Sequence, residues 1–332
     1  MEHKGGKKEG LSVLTYIALS VFTLVTMLLC VCLGSVSVPP DELLSSSIIL
    51  NVRLPRVLCV ALSGASLSLC GAAMQGLLKN PLADGSTLGV SSGASLGAVL
   101  AITLSISIPS LPFAGTMVMA VLFAFLSLII ILSLAYKLDC SLATNTIILI
   151  GIIFSMFASS MISLMMYFSS DRLRDITRWT MGTLSGSSYT NALVLLVTLA
   201  LCAAVILSRA SELNAFAIGE DNARHIGVNV RRERLIILIA VSVLIGVCVS
   251  VGGTIAFVGL VIPHMVRLIL GPNHKKLLAA SMYCGACFLM LADLVARVIV
   301  SPLELPVGVV TSLIGAVVFV FIFFRSVRSR HA

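Results

Sequence analysis

The sequence predicts an all-α membrane protein with ten transmembrane helices. Three observations carry that prediction. The 332 residues are 58% hydrophobic and only 11% charged, with a mean hydropathy of +1.11. A soluble domain this poor in polar groups could not cover its surface. Charge is almost confined to the gaps between ten apolar stretches. Those stretches are too long and too uniform for barrel strands, which alternate over about 10 residues. A bilayer accepts such a chain only with its backbone bonded internally, hence as helices.

Taken in order, the spans are expected at 11–33, 57–78, 88–106, 114–136, 142–167, 190–208, 234–251, 255–270, 277–296 and 307–325. Most reach the roughly 20 residues that a hydrocarbon core requires. The first follows Lys4, Lys7 and Lys8. It is longer than a signal-peptide core and no A-x-A site follows it, so it reads as a retained span. Pro55, between Arg53 and Arg56, suits the first turn of the second span. The second and third spans are rich in small residues, among them Gly64, Gly71, Gly76, Ser91, Ser92, Gly93, Ser95 and Gly97. Such residues let helix backbones approach closely in lipid, and tight packing is the reading taken for most of them. The eighth is short and holds Pro263, His264 and Arg267, so its backbone is expected inside protein. The ninth carries Asp293 and Arg297 four apart, on one helix face, where they can pair. Glu304–Leu305–Pro306 introduces the tenth.

Ten spans put both termini on one side. Sixteen of the 22 Lys and Arg residues, including every lysine, then fall on that side. The other side receives Arg53, Arg56, Arg172, Arg174, Arg178 and Arg297. The bias places both termini in the cytoplasm and makes the chain a multi-pass protein of the cytoplasmic membrane. The net charge of +8 is spread over short loops rather than gathered on one face, which argues against nucleic acid as a partner.

The chemistry of a site is sparse. No GxxxxGK[ST], HExxH or GxSxG is present, so neither a P-loop nor these hydrolase signatures can be invoked. Cys284 and Cys287 form a lone CxxC without a second ligand pair, and no metal site is expected. His264 reads as an interhelix hydrogen-bonding group. No acid lies at mid-span, which argues against ion-coupled carriage and places the energy source outside the chain. The longest connection, 209–233, has Leu213, Ala217 and Ile218 at helical spacing, a break at Gly219, then Ala223 and Ile226 before Gly227. It reads as two short helices with a sharp turn, suited to docking. The arginines of the opposite side could anchor helices at headgroups or meet a partner's carboxylates.

Several blocks together resemble the FecCD-type permease subunit of iron-siderophore, haem and vitamin B12 ABC importers. They are RLPR at 53–56, GAAMQGLLKNPLADGSTLGVSSGASLGA at 71–98, GEDNARHIGV at 219–228, GGTIAFVGLVIPHMVRLILGPNHKKLL at 252–278, ADLVAR at 292–297 and ELPVGVVTSLIGA at 304–316. Gly85 and Val317 stand where relatives often carry proline. The resemblance implies a vitamin B12 importer permease-like fold, one domain over 1–332, working with a second permease copy or paralogue. It also implies two ATPase subunits, which would bind the ATP and Mg, and a periplasmic or lipid-anchored substrate-binding protein. The chain itself would bind no cofactor and would not be an enzyme. Gly219, Glu220, Asp221, Ala223, Arg224, Ile226, Gly227 and Val228 would couple to the ATPase. Arg53, Arg56 and Arg297 would pair with binding-protein glutamates. A gate is expected around Ser141, Thr144 and Asn145, and a translocation path along the fifth and tenth spans and a short helix near Thr177–Ser187. An iron-siderophore complex is the expected cargo, with vitamin B12 or haem as the alternative. An intramembrane enzyme or a passive channel is a distant one.

Overall fold

The computed structural model describes residues 13–36, 39, 46–85, 87–106, 114–140 and 143–328, with side chains described no further than Phe321. The described residues form thirteen α-helices and no strand. Seven helical segments are long and apolar enough to cross a membrane. They contain α1 (Val13–Cys32), α2 (Leu54–Leu77), α4 (Ala114–Leu138), α5 (Thr144–Phe168), α7 (Tyr189–Ser208), α10 (Val230–Gly252) and α12 (His274–Val298). Three more are apolar but shorter: α3 (Val90–Thr103), α11 (Val258–Leu270) and α13 (Val307–Arg328), whose described apolar part ends at Phe321. The remaining three are short: α6 (Leu173–Thr180), α8 (Ala210–Ile218) and α9 (Glu220–His225). A helix overlaps each of the ten apolar stretches, while the short helix expected near Thr177–Ser187 lies earlier, in α6. Residues 182–187 instead form a turn, with Gly182 and Gly186 at positive φ.

Helix starts are capped by the side chains that local chemistry favours. Ser188 accepts from the Asn191 N–H, Asn229 from the Arg232 N–H and Asn273 from the Lys275 N–H. Pro55 sits in the first turn of α2, where its missing N–H removes nothing. A π-helical turn, Ile49–Arg53, leads into that helix.

α2, α10 and α12 are the most buried of the long helices and form the centre. Close backbone contact is what glycine supplies there. A Cβ on Gly64 would lie 2.3 Å from the Gly285 carbonyl oxygen, and one on Gly285 would lie 2.4 Å from that of Gly64. α2 and α12 therefore touch backbone to backbone, as small residues permit in lipid. α1, α4 and α5 are mostly exposed, and their outward Val25, Leu122, Ile153 and Phe157 suit a lipid environment.

Between α10 and α11 the chain unwinds at Gly253–Ala256. Its polar groups find partners within the protein: the Thr183 N–H donates to Gly252 O at 2.9 Å, and the Thr254 hydroxyl donates to Thr180 O. Irregular backbone at membrane depth is tolerated when protein surrounds it. His264 makes no hydrogen bond through Nδ1 among the described residues; its ring lies 6.4 Å from that of Phe319 instead. That ring contact joins α11 to α13.

Candidate functional site

Functional features cluster at the two ends of the bundle and in a hydroxyl-lined cavity between them. At one end α8 and α9 form a compact hairpin. Gly219 separates them with φ of +142°, a backbone angle that a side chain rarely permits. Leu213 and Phe216 bury themselves under α8, and Ala223 is fully buried under α9. Ion pairs tie the hairpin to α10: Glu220 lies 2.5 Å from Arg234, and Glu233 lies 3.4 Å from Arg209 at the start of α8. The outward face keeps two large apolar side chains in the open, Ile218 at 72% and Ile226 at 69% exposure. Asp221, Arg224 and Gly227 are exposed beside them, and Val228 is half-buried. Of the residues expected to couple, Ala223 thus faces inward, where it holds α9 to its neighbours.

The opposite end carries a buried charge network. Asp293, 1% exposed, lies 2.9 Å from Arg56 on α2 and 3.0 Å from Arg297 on its own helix. Arg56 also reaches Glu304, 2.8 Å away in the connection to α13. Arg297 donates to the carbonyls of Cys30 and Leu33 at the end of α1. Arg53 donates to the Val31, Cys32 and Val36 carbonyls. The network joins α1, α2, α12 and the approach to α13. None of the three arginines presents an exposed guanidinium in this conformation, although the sequence reading expects them on the surface. The exposed cations at this end are Arg172, Arg174 and Arg178, on and beside α6.

A cavity of about 350 Å³ opens between α3, α5 and the unwound segment. Ser91, Ser92, Ser95, Ser159, Ser163 and Thr254 line it, with Phe257 and Met166 as apolar walls. Ser92 and Ser159 also face a second hollow, of about 530 Å³, beside α5. The serines of α3 therefore divide from its glycines. Gly93 and Gly97 pack against α4, where added Cβ atoms would meet Ser127 at 2.5 Å and Met119 O at 2.3 Å. Ser91 and Ser92 are half-buried at the cavity wall, while Ser95 is buried and donates its hydroxyl to the Ser91 carbonyl. Packing accounts for the glycines but not for these hydroxyls. The signal was the four-residue spacing of Ser155, Ser159 and Ser163 along α5.

Of the expected gate, Thr144 and Asn145 start α5, half-buried and exposed respectively, and Ser141 lies outside the described residues. Among the described residues no group of three His, Cys, Asp or Glu side chains could hold a metal. Cys284 and Cys287 are free thiols.

A helical bundle of apolar spans with a tied surface hairpin at one end and a polar internal cavity has the form of a membrane permease. The chain belongs to the FecCD transport family, which it matches over residues 22–325. It is 43% identical over 292 residues to an uncharacterized ABC transporter permease protein, YvrB, of Bacillus subtilis, covering 88% of this chain and 83% of that one. It is 37% identical to the vitamin B12 import system permease protein BtuC of Klebsiella pneumoniae, covering 93% and 92%. A solved ABC transporter, described as a putative metal-chelate type and captured in an inward-facing conformation, superposes with a TM-score of 0.85, at 32% identity, covering 93% of this chain and 98% of that chain. The protein is a permease subunit of a type II ABC importer.

Proposed function

We propose that this chain carries an iron-siderophore complex across the cytoplasmic membrane, driven by separate ATPase subunits. The observation that carries the reading is the α8–α9 hairpin. Its underside is pinned by Glu220–Arg234 and buried Ala223, while Ile218 and Ile226 stand in the open. Two large exposed apolar side chains on a pinned hairpin outside the apolar spans suit contact with a partner. A passive channel has no use for it. The description of the superposed transporter as a putative metal-chelate type is in keeping with an iron chelate as cargo. Vitamin B12 is the second reading, supported by the similarity to BtuC; haem is the third, supported by 38% identity over 283 residues to the hemin transport system permease protein HmuU of Yersinia pestis.

In this reading ten helices cross the bilayer, α3, α11 and α13 among them, and both termini face the cytoplasm. Two permease copies, or this chain and a paralogue, enclose the path along α5 and α13. The ATPase subunits, which hold the ATP and Mg, receive α8–α9, and Thr144 and Asn145 belong to the cytoplasmic gate. A periplasmic or lipid-anchored binding protein docks on the α6 end. Arg53, Arg56 and Arg297 reach its carboxylates only by leaving the acids and carbonyls they hold here, whereas Arg172, Arg174 and Arg178 are accessible without rearrangement. ATP must favour one permease conformation over the other for this cycle to run.

The test is purification of the tagged chain from its own membranes in mild detergent. A P-loop ATPase subunit with vanadate-sensitive activity should accompany it, and Ile226→Arg should remove that subunit without lowering the yield of permease. Recovery of the chain free of any nucleotide-hydrolysing partner overturns the reading.

A further inference from the structure

The hairpin is joined to the rest of the bundle in two ways. On one side, ion pairs join α9 and the start of α8 to α10. On the other, α8 packs on α2 and α12, and there Asn214 makes polar connections to the start of α12. The Asn214 Oδ1 accepts from the His274 backbone N–H at 2.8 Å and lies 2.8 Å from the His274 ring Nδ1. The Asn214 Nδ2 donates to Asn273 Oδ1 at 3.1 Å. Asn273 is itself the N-cap of α12. The first N–H of α12 is therefore satisfied by a residue of α8, and the cap that satisfies the second is held by the same residue. Free N–H groups at a helix start need such partners. If α8 moves, α12 follows or its first turn loses them.

α12 does not move alone. Its inner end is locked to α2 where the His274 ring fills the space over Gly76, at which an added Cβ would lie 2.3 Å from Nε2. Gly64 and Gly285 lock the middle, and Arg56–Asp293 locks the far end. The pair is a strut about 37 Å long, from the 25 residues of α12 at about 1.5 Å each. It ends in the buried charge network of the opposite face.

We propose that Asn214 is a positioning residue for transport, the joint through which displacement of the α8–α9 hairpin is passed along the α2–α12 strut to the far mouth. This rests on the importer reading above, and deepens it by naming the route. A local cap alone would explain one hydrogen bond, but Asn214 engages both the cap residue and the capped one.

The test uses the purified complex with its ATPase subunits, in a background without the exposed Cys32 and Cys140 thiols. Spin labels at Ile299 and Leu193 report the far end of α12 against α7. ATP with vanadate should change that distance. Asn214→Ala should keep ATP hydrolysis within twofold yet lose at least three quarters of the change, and Asn214→Asp, which keeps the acceptor for the His274 N–H, should restore half of it. A change of full size in Asn214→Ala overturns the proposal, as does a motionless α12 in the unmutated complex while a label at Ile218 responds to nucleotide. If Asn214→Ala does not assemble, a disulfide between Asn214→Cys and Asn273→Cys decides. The change should survive the bond; its abolition, reversed by reduction, shows that α8 and α12 slide past each other and overturns the joint. Absence of any ATPase subunit from the purified complex is a different failure, that of the importer reading.

Discussion

Arg56 donates twice to the same oxygen of Asp293, from Nε at 3.1 Å and from Nη2 at 2.9 Å, and so joins the ends of α2 and α12. Both side chains are buried. An ion pair in such a place adds little net stability over apolar packing, but a partner left alone is costly.

Asp293→Ala leaves Arg56 with Glu304 as its remaining acid and Arg297 with only the Cys30 and Leu33 carbonyls. The expected loss is about 3 to 5 kcal/mol, as for other broken buried pairs. Thermal unfolding of the detergent-solubilised protein measures it. Replacing the group by apolar residues together, Arg56→Met with Asp293→Leu and Arg297→Met, should recover most of the loss. Charge reversal of Arg56 or Arg297 to Glu should lower the amount of folded permease before any docking defect can be read.

Gly64→Leu and Gly285→Leu should each reduce folded protein in the membrane. Added atoms meet backbone, which cannot turn aside as a flexible side chain can. Gly227→Ala meets nothing within 4 Å and pays only for its φ of +90°, about 1 to 2 kcal/mol. Comparison of the two classes by thermal shift separates packing strain from backbone strain.

On the hairpin, Ile218→Arg and Ile226→Arg should leave the melting temperature unchanged, because both side chains are exposed, and should weaken ATPase association at least tenfold. Ala223→Arg should instead destabilise α9, since its Cβ is fully buried. Titration of purified ATPase subunit onto permease in nanodiscs distinguishes the two outcomes.

Ser159→Cys should react with a hydrophilic maleimide in the folded protein, because Ser159 borders both hollows. Ser68→Cys, fully buried, should not. A Ser159→Cys thiol as unreactive as that of Ser68→Cys would show that the cavity is closed to water.

Much of this architecture is legible from residue patterns. Apolar runs locate helices because lipid demands them, and Gly219 and Gly227 mark the hairpin because backbone angles demand glycine. The i,i+4 spacing of Asp293 and Arg297 gives their pair. What the chain order hides is contact between distant segments. Nothing near Arg56 in sequence announces Asp293, 237 positions away, so a buried arginine reads as an exposed one. Asn214 meeting His274 is hidden for the same reason, 60 positions apart. The serines of α3 read as packing residues because their neighbours are glycines that do pack.

The importer reading is tested most directly by reconstituting the permease in liposomes with its ATPase subunits and binding protein, and following radioiron from a ferric hydroxamate. Uptake should require ATP, and omission of the ATPase subunits should abolish it. Concentrative uptake by the permease alone, without a nucleotide-hydrolysing partner, would contradict it.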